Sequence, residues 1–447
     1  MMVMFLLPKI QHNMYKNIQI NTQDLEQDTY CFPVISNSLS FYLNDIKKQI
    51  YEYEYDWDIF KKYTNPFEFI HTNIPNKKYC ISKYKPISRA YFKMVELIHT
   101  FNLGIDSPHP IRTFHLAEGP GGFIEAVAKL RMSSKDSYIG MTLLDSKHDP
   151  NIPGWKKTES FLREFKNVQI ENGIDGTGNI LSFKNFVYIH STYGSSMDLI
   201  TADGGFDFSD DFENQELNMV PLLYGQIIYA LCMQKQGGSF VLKIFDIFLQ
   251  QTIDMMALLS SMYQQVYITK PNSSRYANSE KYIVCKGFIP SSSIEFFPYL
   301  YNSFQALFIE PNIPFTTITP SLCKTNTNIN INVKSILKQG FISSIFINKL
   351  EEYNIIFGQQ QIENIHTTLL LIITYNEGDK NNDSNEEQYV SSINNRHKHF
   401  CDYRDDKVVS FQQNPYNNAC IRKIIKINIQ KCIQWCIKHK NGYNYDL

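Results

Sequence analysis

Four charged side chains stand where charge is costly. Lys243 lies in the middle of Ser-Phe-Val-Leu-Lys-Ile-Phe (239–245), a run otherwise apolar on both sides. Asp203 ends the apolar run Leu-Ile-Thr-Ala (199–202). Lys93 sits at the start of an apolar helical pattern, Ala-Tyr-Phe-Lys-Met-Val (90–95), and Glu280 opens the run Lys-Tyr-Ile-Val-Cys (281–285). A lysine inside a buried strand is expensive unless it is paired or neutral. Snorkelling at a strand end would also serve Lys243, and Lys93 and Glu280 could be surface residues.

A second constellation is the stretch His-Leu-Ala-Glu-Gly-Pro-Gly-Gly-Phe-Ile-Glu-Ala-Val (115–127). It has the layout of a nucleotide-binding loop: a strand end, a glycine turn and a helix start. A P-loop needs Lys-Ser/Thr after its glycines, and here Phe123-Ile124 follow. A dinucleotide fold wants G-x-G-x-x-G, and here the order is Gly119-Pro120-Gly121-Gly122. Glu118 beside the turn would repel a phosphate. S-adenosylmethionine, with an ammonium and a sulfonium, suits an acidic turn better, and its carboxylate could use amides at the helix start. The plain alternative is an ordinary strand–helix turn. Asp145 ends the next strand, where a carboxylate reaches ribose hydroxyls in doubly wound folds. Asp175, in Asn-Gly-Ile-Asp-Gly-Thr-Gly-Asn (172–179), could accept from an adenine amino group. Either could equally be a turn or capping aspartate.

Strands and helices must hold these groups. Short apolar runs alternate with helical ones from about 80 to 290. Strands are expected around 112–119, 137–145, 197–203, 239–245, 266–270 and 280–288, and helices at 122–132 and 214–238, the latter kinked or split by Pro221. This alternation predicts an α/β fold with a mostly parallel sheet covered on both faces. An antiparallel pair is expected at the edge formed by the last two strands. The division predicted is an N-terminal extension (1–75), a central domain (76–300) and a C-terminal region (301–447). That last region has a polar loop near 375–406 and a docked helix in Ala-Cys-Ile-Arg-Lys-Ile-Ile (419–425) and beyond.

The 447 residues carry a formal net charge of −1, so any nucleic-acid surface must be a local patch. Nine cysteines show no paired framework, which favours a reducing compartment. Cys432, Cys436 and His439 share a helix face, a spacing read as packing, and no metal is expected. The opening Met-Met-Val-Met-Phe-Leu-Leu is apolar but too short to span a bilayer. It lacks a basic region. A soluble intracellular protein, cytoplasmic if viral, is the expectation.

Ser88-Arg89-Ala90-x-x-Lys93, the Leu-Ala-Glu-Gly-Pro-Gly-Gly-Phe turn, Gly-Met-Thr-Leu (140–143), Ala-Asp-Gly-Gly (202–205), Val-Leu-Lys-Ile-Phe (241–245) and Ser-Arg-Tyr-Ala-Asn-Ser-Glu-Lys-Tyr (274–282) stand in order. Together they resemble the FtsJ/RrmJ-type ribose 2′-O-methyltransferases, in the mRNA cap branch of eukaryotes and large DNA viruses. The resemblance covers roughly 80–290 and implies a Rossmann-like S-adenosylmethionine-dependent fold with a seven-stranded sheet. It also implies a Lys-Asp-Lys-Glu tetrad on Lys93, Asp203, Lys243 and Glu280, with capped mRNA as substrate and other capping or transcription proteins as partners. Glu118-Gly119 departs from the pair that bacterial members usually carry. Chemically, methyl transfer to a hydroxyl needs an oriented hydroxyl and a proton acceptor. A lysine whose pKa burial and a nearby cation have lowered can accept that proton. Lys243, with Lys93 close by, suits the role. Lys83, Lys85 and Arg89, interleaved with tyrosines just before Lys93, are candidate RNA contacts; a solvated charge run is the alternative. The other readings are an rRNA or tRNA 2′-O-methyltransferase and a catalytically inactive RNA-binding subunit of a capping complex.

Overall fold

The computed structural model describes residues 2–22, 32–104, 106–144, 152, 154–205, 214–308, 333–378 and 419–444. Two compact units emerge. The first comprises 1–44, 85–274 and 278–358; the second comprises 45–84, 275–277 and 359–447. The predicted cuts at 75 and 300 do not follow this partition, because segments from both flanks are built into the first unit.

The first unit is organised by an eight-stranded sheet. Its strands are β1 (Met4–Leu6), β3 (Arg112–Leu116), β4 (Ser137–Met141), β5 (Val168–Ile170), β6 (Met197–Ala202), β7 (Gln234–Ile244), β8 (Tyr263–Thr269) and β9 (Lys281–Phe288). They run in the order β1-β8-β9-β7-β6-β3-β4-β5. The block β7-β6-β3-β4-β5 is parallel, whereas β9 runs antiparallel to both β7 and β8. The antiparallel pair expected at that edge is therefore present. The eighth strand is a correction: β1, from the N-terminal segment, pairs antiparallel with β8, with Met4 opposite Thr269. Its three residues are too few for a periodic signal. A separate two-stranded sheet joins β2 (Ile18–Thr22) to β10 (Val333–Leu337).

Helices α3 (Ala90–Phe101), α4 (Gly122–Arg131), α6 (Phe183–Tyr193), α7 (Gln215–Met233), α8 (Gln250–Met262) and α9 (Phe297–Phe308) accompany the strands, with α5 (Glu159–Glu164) as a short turn of helix. Pro221 lies inside α7 without splitting it; apolar packing along the helix outweighs one lost hydrogen bond. Buried Phe114, Ile139, Ile200, Tyr229, Leu242 and Ile283 belong to the core cluster on and around the sheet. Buried Asp254 of α8 pins β10, accepting the amides of Ile336 and Leu337 at 2.8 and 3.0 Å.

The second unit contains α2 (Glu54–Thr64) and α11 (Ala419–Lys438). Two helices run through both units in sequence, α1 (Asn37–Tyr51) and α10 (Ser344–Gly378). The docked C-terminal helix is α11, whose Ile421, Ile425, Cys432, Trp435 and Cys436 are buried against α2 and the turn Glu68–Ile70. Most of the polar loop near 375–406 lies outside the described residues. Among the described residues no helix is long and apolar enough to cross a membrane. Among the described residues no disulfide joins Cys80, Cys232, Cys285, Cys420, Cys432 or Cys436.

Candidate active site

Strand order sets the location. From β3 the chain moves outward to β4 and β5, then returns to form β6 on the other side of β3. Such a switch point leaves a crevice beyond the carboxyl ends of the two strands. The glycine turn follows β3 and Asp203 follows β6, so both border that crevice.

The turn is shaped by close approaches. Gly121 has φ 107°, a conformation that favours glycine. A Cβ at Gly122 would stand 2.3 Å from Ser88 Oγ and 3.0 Å from Ala90 Cβ and the Tyr91 backbone nitrogen. The bare α-carbon thus lets the start of α3 lie directly on the start of α4. This approach sets Lys93, one turn into α3, toward the sheet.

Glu118 is placed differently from expectation. Its side chain is 1% exposed. One carboxylate oxygen accepts the Ile124 amide at 3.2 Å; the other accepts the Thr201 hydroxyl and lies 3.4 Å from His115 Nδ1. His115 in turn bonds Thr201 Oγ1 at 2.7 Å and Thr113 Oγ1 at 2.8 Å. The carboxylate braces the turn from beneath, so it does not present charge to a ligand. The preceding Ala117, at φ 53°, swings the next side chain inward. Asp175 is also committed locally: its Oδ1 accepts Thr177 N, Thr177 Oγ1 and Asn185 Nδ2 at 3.0, 2.6 and 2.8 Å, and its Oδ2 accepts Ser182 Oγ at 2.7 Å. Burial raises its carboxyl, but these bonds outweigh it and hold the group below the ordinary aspartate range. It organises its own turn, and that turn packs against β4's end, where Leu144 N donates to Thr177 O at 2.9 Å. Asp145 lies outside the described residues.

A nucleoside cofactor fits the remaining groups. The Trp155 ring lies over Gly140 and Gly121. Its buried indole N–H has no partner among the described residues, a donor awaiting an acceptor beside the turn. Gly119, Pro120, Gly121, Gly122 and Phe123 offer backbone at the start of α4, where the helix dipole favours a carboxylate.

The four charged residues come together, each from a different element. Lys93 Nζ meets the two Glu280 oxygens at 2.7 and 2.8 Å. Lys243 Nζ donates to the Asp203 backbone carbonyl at 2.7 Å and stands 3.4 Å from the Asp203 carboxylate. A Cβ on Gly205 would sit 3.0 Å from that Nζ, so a glycine there leaves room for the amine. Side-chain exposures are 7% for Lys93, 12% for Glu280, 13% for Lys243 and 15% for Asp203. The two pairs are linked by a residue that sequence reasoning missed. Tyr282 OH lies 3.2 Å from both Asp203 Oδ1 and Glu280 Oε1, so its single proton is shared between the carboxylates. Glu280 and Tyr282 are two apart and fall on one face of the sheet, the signal that could have found it. Ser274 Oγ adds a 2.9 Å bond to Glu280.

Electrostatics follow from this packing. Burial works against the Glu280 charge, but Lys93, Lys243 and Arg89 outweigh it and hold the carboxyl well below the usual glutamate range. Burial lowers the Lys93 ammonium, with Arg89 adding to the effect and Glu280 and Asp203 opposing it. Arg89, expected among RNA contacts, thus acts on the cluster itself. Lys85 is exposed where the second stretch of the first unit begins, and Lys83 is exposed in the second unit.

The family description "FtsJ-like methyltransferase" matches residues 86–288. Three curated relatives are similar to the chain. It is 33% identical over 226 residues to the cap-specific mRNA (nucleoside-2′-O-)-methyltransferase 1 of Danio rerio, covering 46% of this chain and 27% of the relative. The cap-specific mRNA (nucleoside-2′-O-)-methyltransferase 2 of the same fish is 31% identical over 272 residues, covering 57% and 36%. The Trypanosoma brucei brucei methyltransferase 1 is 39% identical over 153 residues, covering 33% and 40%. The chain therefore spans well under two thirds of the length of each.

Proposed function

From the FtsJ-like methyltransferase domain that residues 86–288 form, we propose that this chain transfers a methyl group from S-adenosylmethionine to a ribose 2′-OH. The acceptor is the first, or second, transcribed nucleotide of a capped mRNA, an intracellular substrate. The similar methyltransferases of fish and trypanosome, cap-specific by name, support the choice of a capped substrate. The observation that carries the chemistry is the meeting of Lys93, Asp203, Lys243 and Glu280 at the mouth of the crevice.

The cofactor, when bound, supplies an electrophilic methyl on a sulfonium. The chain's residues orient the hydroxyl and take its proton. Lys93 is fixed by both oxygens of Glu280, so it positions. Among the described residues Lys243 makes one hydrogen bond, to the neutral Asp203 carbonyl at 2.7 Å, with the Asp203 carboxylate 3.4 Å away; its amine, not held between two carboxylate oxygens as that of Lys93 is, is assigned as the acceptor for the 2′-OH proton. Asp203 steers that amine, and Tyr282 keeps the two carboxylates in register. Cofactor contacts come from Gly119 to Phe123 and Trp155, with Asp145 at the ribose; Glu118 and Asp175 act through the turns they brace. Lys85 and Arg89, in the first unit, bring cationic groups to the RNA approaching Lys93, and Lys83, in the second, is a further candidate RNA contact.

The test is mass spectrometry of RNA products after incubation with cofactor, comparing capped with uncapped RNA. Methylation of the cap-proximal ribose is expected. Lys243→Ala should lower the rate by about 10²-fold or more while cofactor binding persists. Wild-type rates in that variant would refute the catalytic assignment.

A further inference from the structure

We infer that the second unit carries a phosphate-binding surface for RNA, built from the exposed face of α11 joined to the strip Lys77–Tyr84. Naming RNA as the ligand rests on the proposed function; the surface itself rests on four observations within that unit.

First, the two faces of α11 are opposite in kind. The apolar stripe is buried, whereas Arg422, Lys423, Lys426, Lys431, Lys438 and the following Lys440 are exposed. No Asp or Glu occurs anywhere in 419–444, and none of these six cations pairs with a carboxylate among the described residues. Second, the arrangement is unfavourable for folding. Arg422 and Lys426 are one turn apart, a like-charge spacing that destabilises a helix. In a chain of net charge −1 this is a local concentration of positive charge. Third, a short ladder welds a second basic segment to it. Lys83 N donates to Gly442 O at 2.9 Å, Asn444 N donates to Ile81 O at 3.0 Å, and Ser82 and Tyr443 form an antiparallel bridge. Lys83 and Lys440 thereby flank one ladder, although they are distant in sequence. Residues 69–95 also lack any Asp or Glu. Fourth, half-buried Tyr79, Tyr84 and Tyr443 are interleaved with these cations along the two segments, with Lys77 Nζ 5.9 Å from the Tyr79 ring centroid; basic groups interleaved with aromatic rings are the composition that single-strand binders use.

Those rings favour a nucleic acid over an acidic polypeptide. A membrane surface is disfavoured because the apolar stripe of α11 is already covered by protein.

The experiment uses the full chain, with Lys426→Gln, Lys431→Gln, Lys438→Gln and Lys440→Gln combined, and anisotropy of a long, uncapped single-stranded RNA across a salt series. The substituted chain is expected to bind about tenfold more weakly. The slope of log K against log salt should flatten by about 0.7 for each phosphate that is no longer neutralised. The same four positions changed to Arg should retain both affinity and slope, which separates charge from folding. An unchanged slope in the Gln variant, or loss of binding in the Arg variant, would overturn the proposal. So would a Gln variant that binds RNA normally but no longer binds polyglutamate, which would mark an acidic-protein surface. Methyl transfer by the unmodified chain to a capped tetranucleotide is measured in parallel. Its absence, with the RNA effect present, would fault the proposed function and leave this surface standing.

Discussion

Glu280 is the residue on which the cluster turns, since Lys93, Ser274 and Tyr282 all bond its carboxylate. Its folded pKa lies below the ordinary glutamate value of 4.5. A depressed carboxyl contributes stability that is complete above its unfolded pKa and is lost as pH falls toward the folded one. The melting-temperature difference between the native chain and Glu280→Gln should therefore be widest near neutrality and narrow below about pH 4.5. A difference that stays constant into acid would mean the pairing does not set its charge. Lys243 is conspicuous in the sequence because charge inside an apolar run contradicts its surroundings; Lys93, Asp203 and Glu280 stand at the ends of such runs, and the family resemblance is what ties them to it. Tyr282 is not conspicuous, since tyrosine is an ordinary strand residue. Glu118 was read as facing a ligand, but the direction of its side chain depends on the left-handed Ala117, which no residue type announces.

At the scale of elements, the packing of α3 on α4 sets the lysine. Gly122→Ala would drive a methyl into Ser88 Oγ and against the backbone of Tyr91. Overpacking of this kind costs about 1–3 kcal/mol, so the variant should melt lower and lose methyl transfer together, measured by calorimetry and product formation. An unaffected melting temperature would show that α3 can retreat without strain. Alternating strands and helices were readable, because buried parallel strands are near-continuous apolar runs. The strands β1 and β10 were not; each is short, and each exists through a distant partner, Thr269 for Met4 and Thr22 for Val333. Pro221 suggested a break, yet α7 continues because its neighbours on the helix are buried on nearly every side.

At the scale of the whole molecule, the first unit gathers pieces from three stretches of sequence. A fragment spanning 76–300, the domain that the sequence pattern delimits, would lack β1, β2, β10 and part of α9. Asp254 would then lose the two amides it binds, and the apolar surface of α8 that β10 covers would meet water. Such a fragment is expected to show a broad, low unfolding transition by circular dichroism, against a cooperative one for the full chain. An equally sharp transition would make the flanking pieces dispensable. This partition was illegible for a general reason: periodicity reports local structure, whereas membership of a unit is decided by packing across hundreds of residues. The outermost strand illustrates what that membership does. Met4–Leu6 closes the open rim of β8 and, being so brief, offers a poor template to another extended chain. Without it, β8 would expose a longer row of unpaired amides and carbonyls, and self-association into aggregates would begin at that rim.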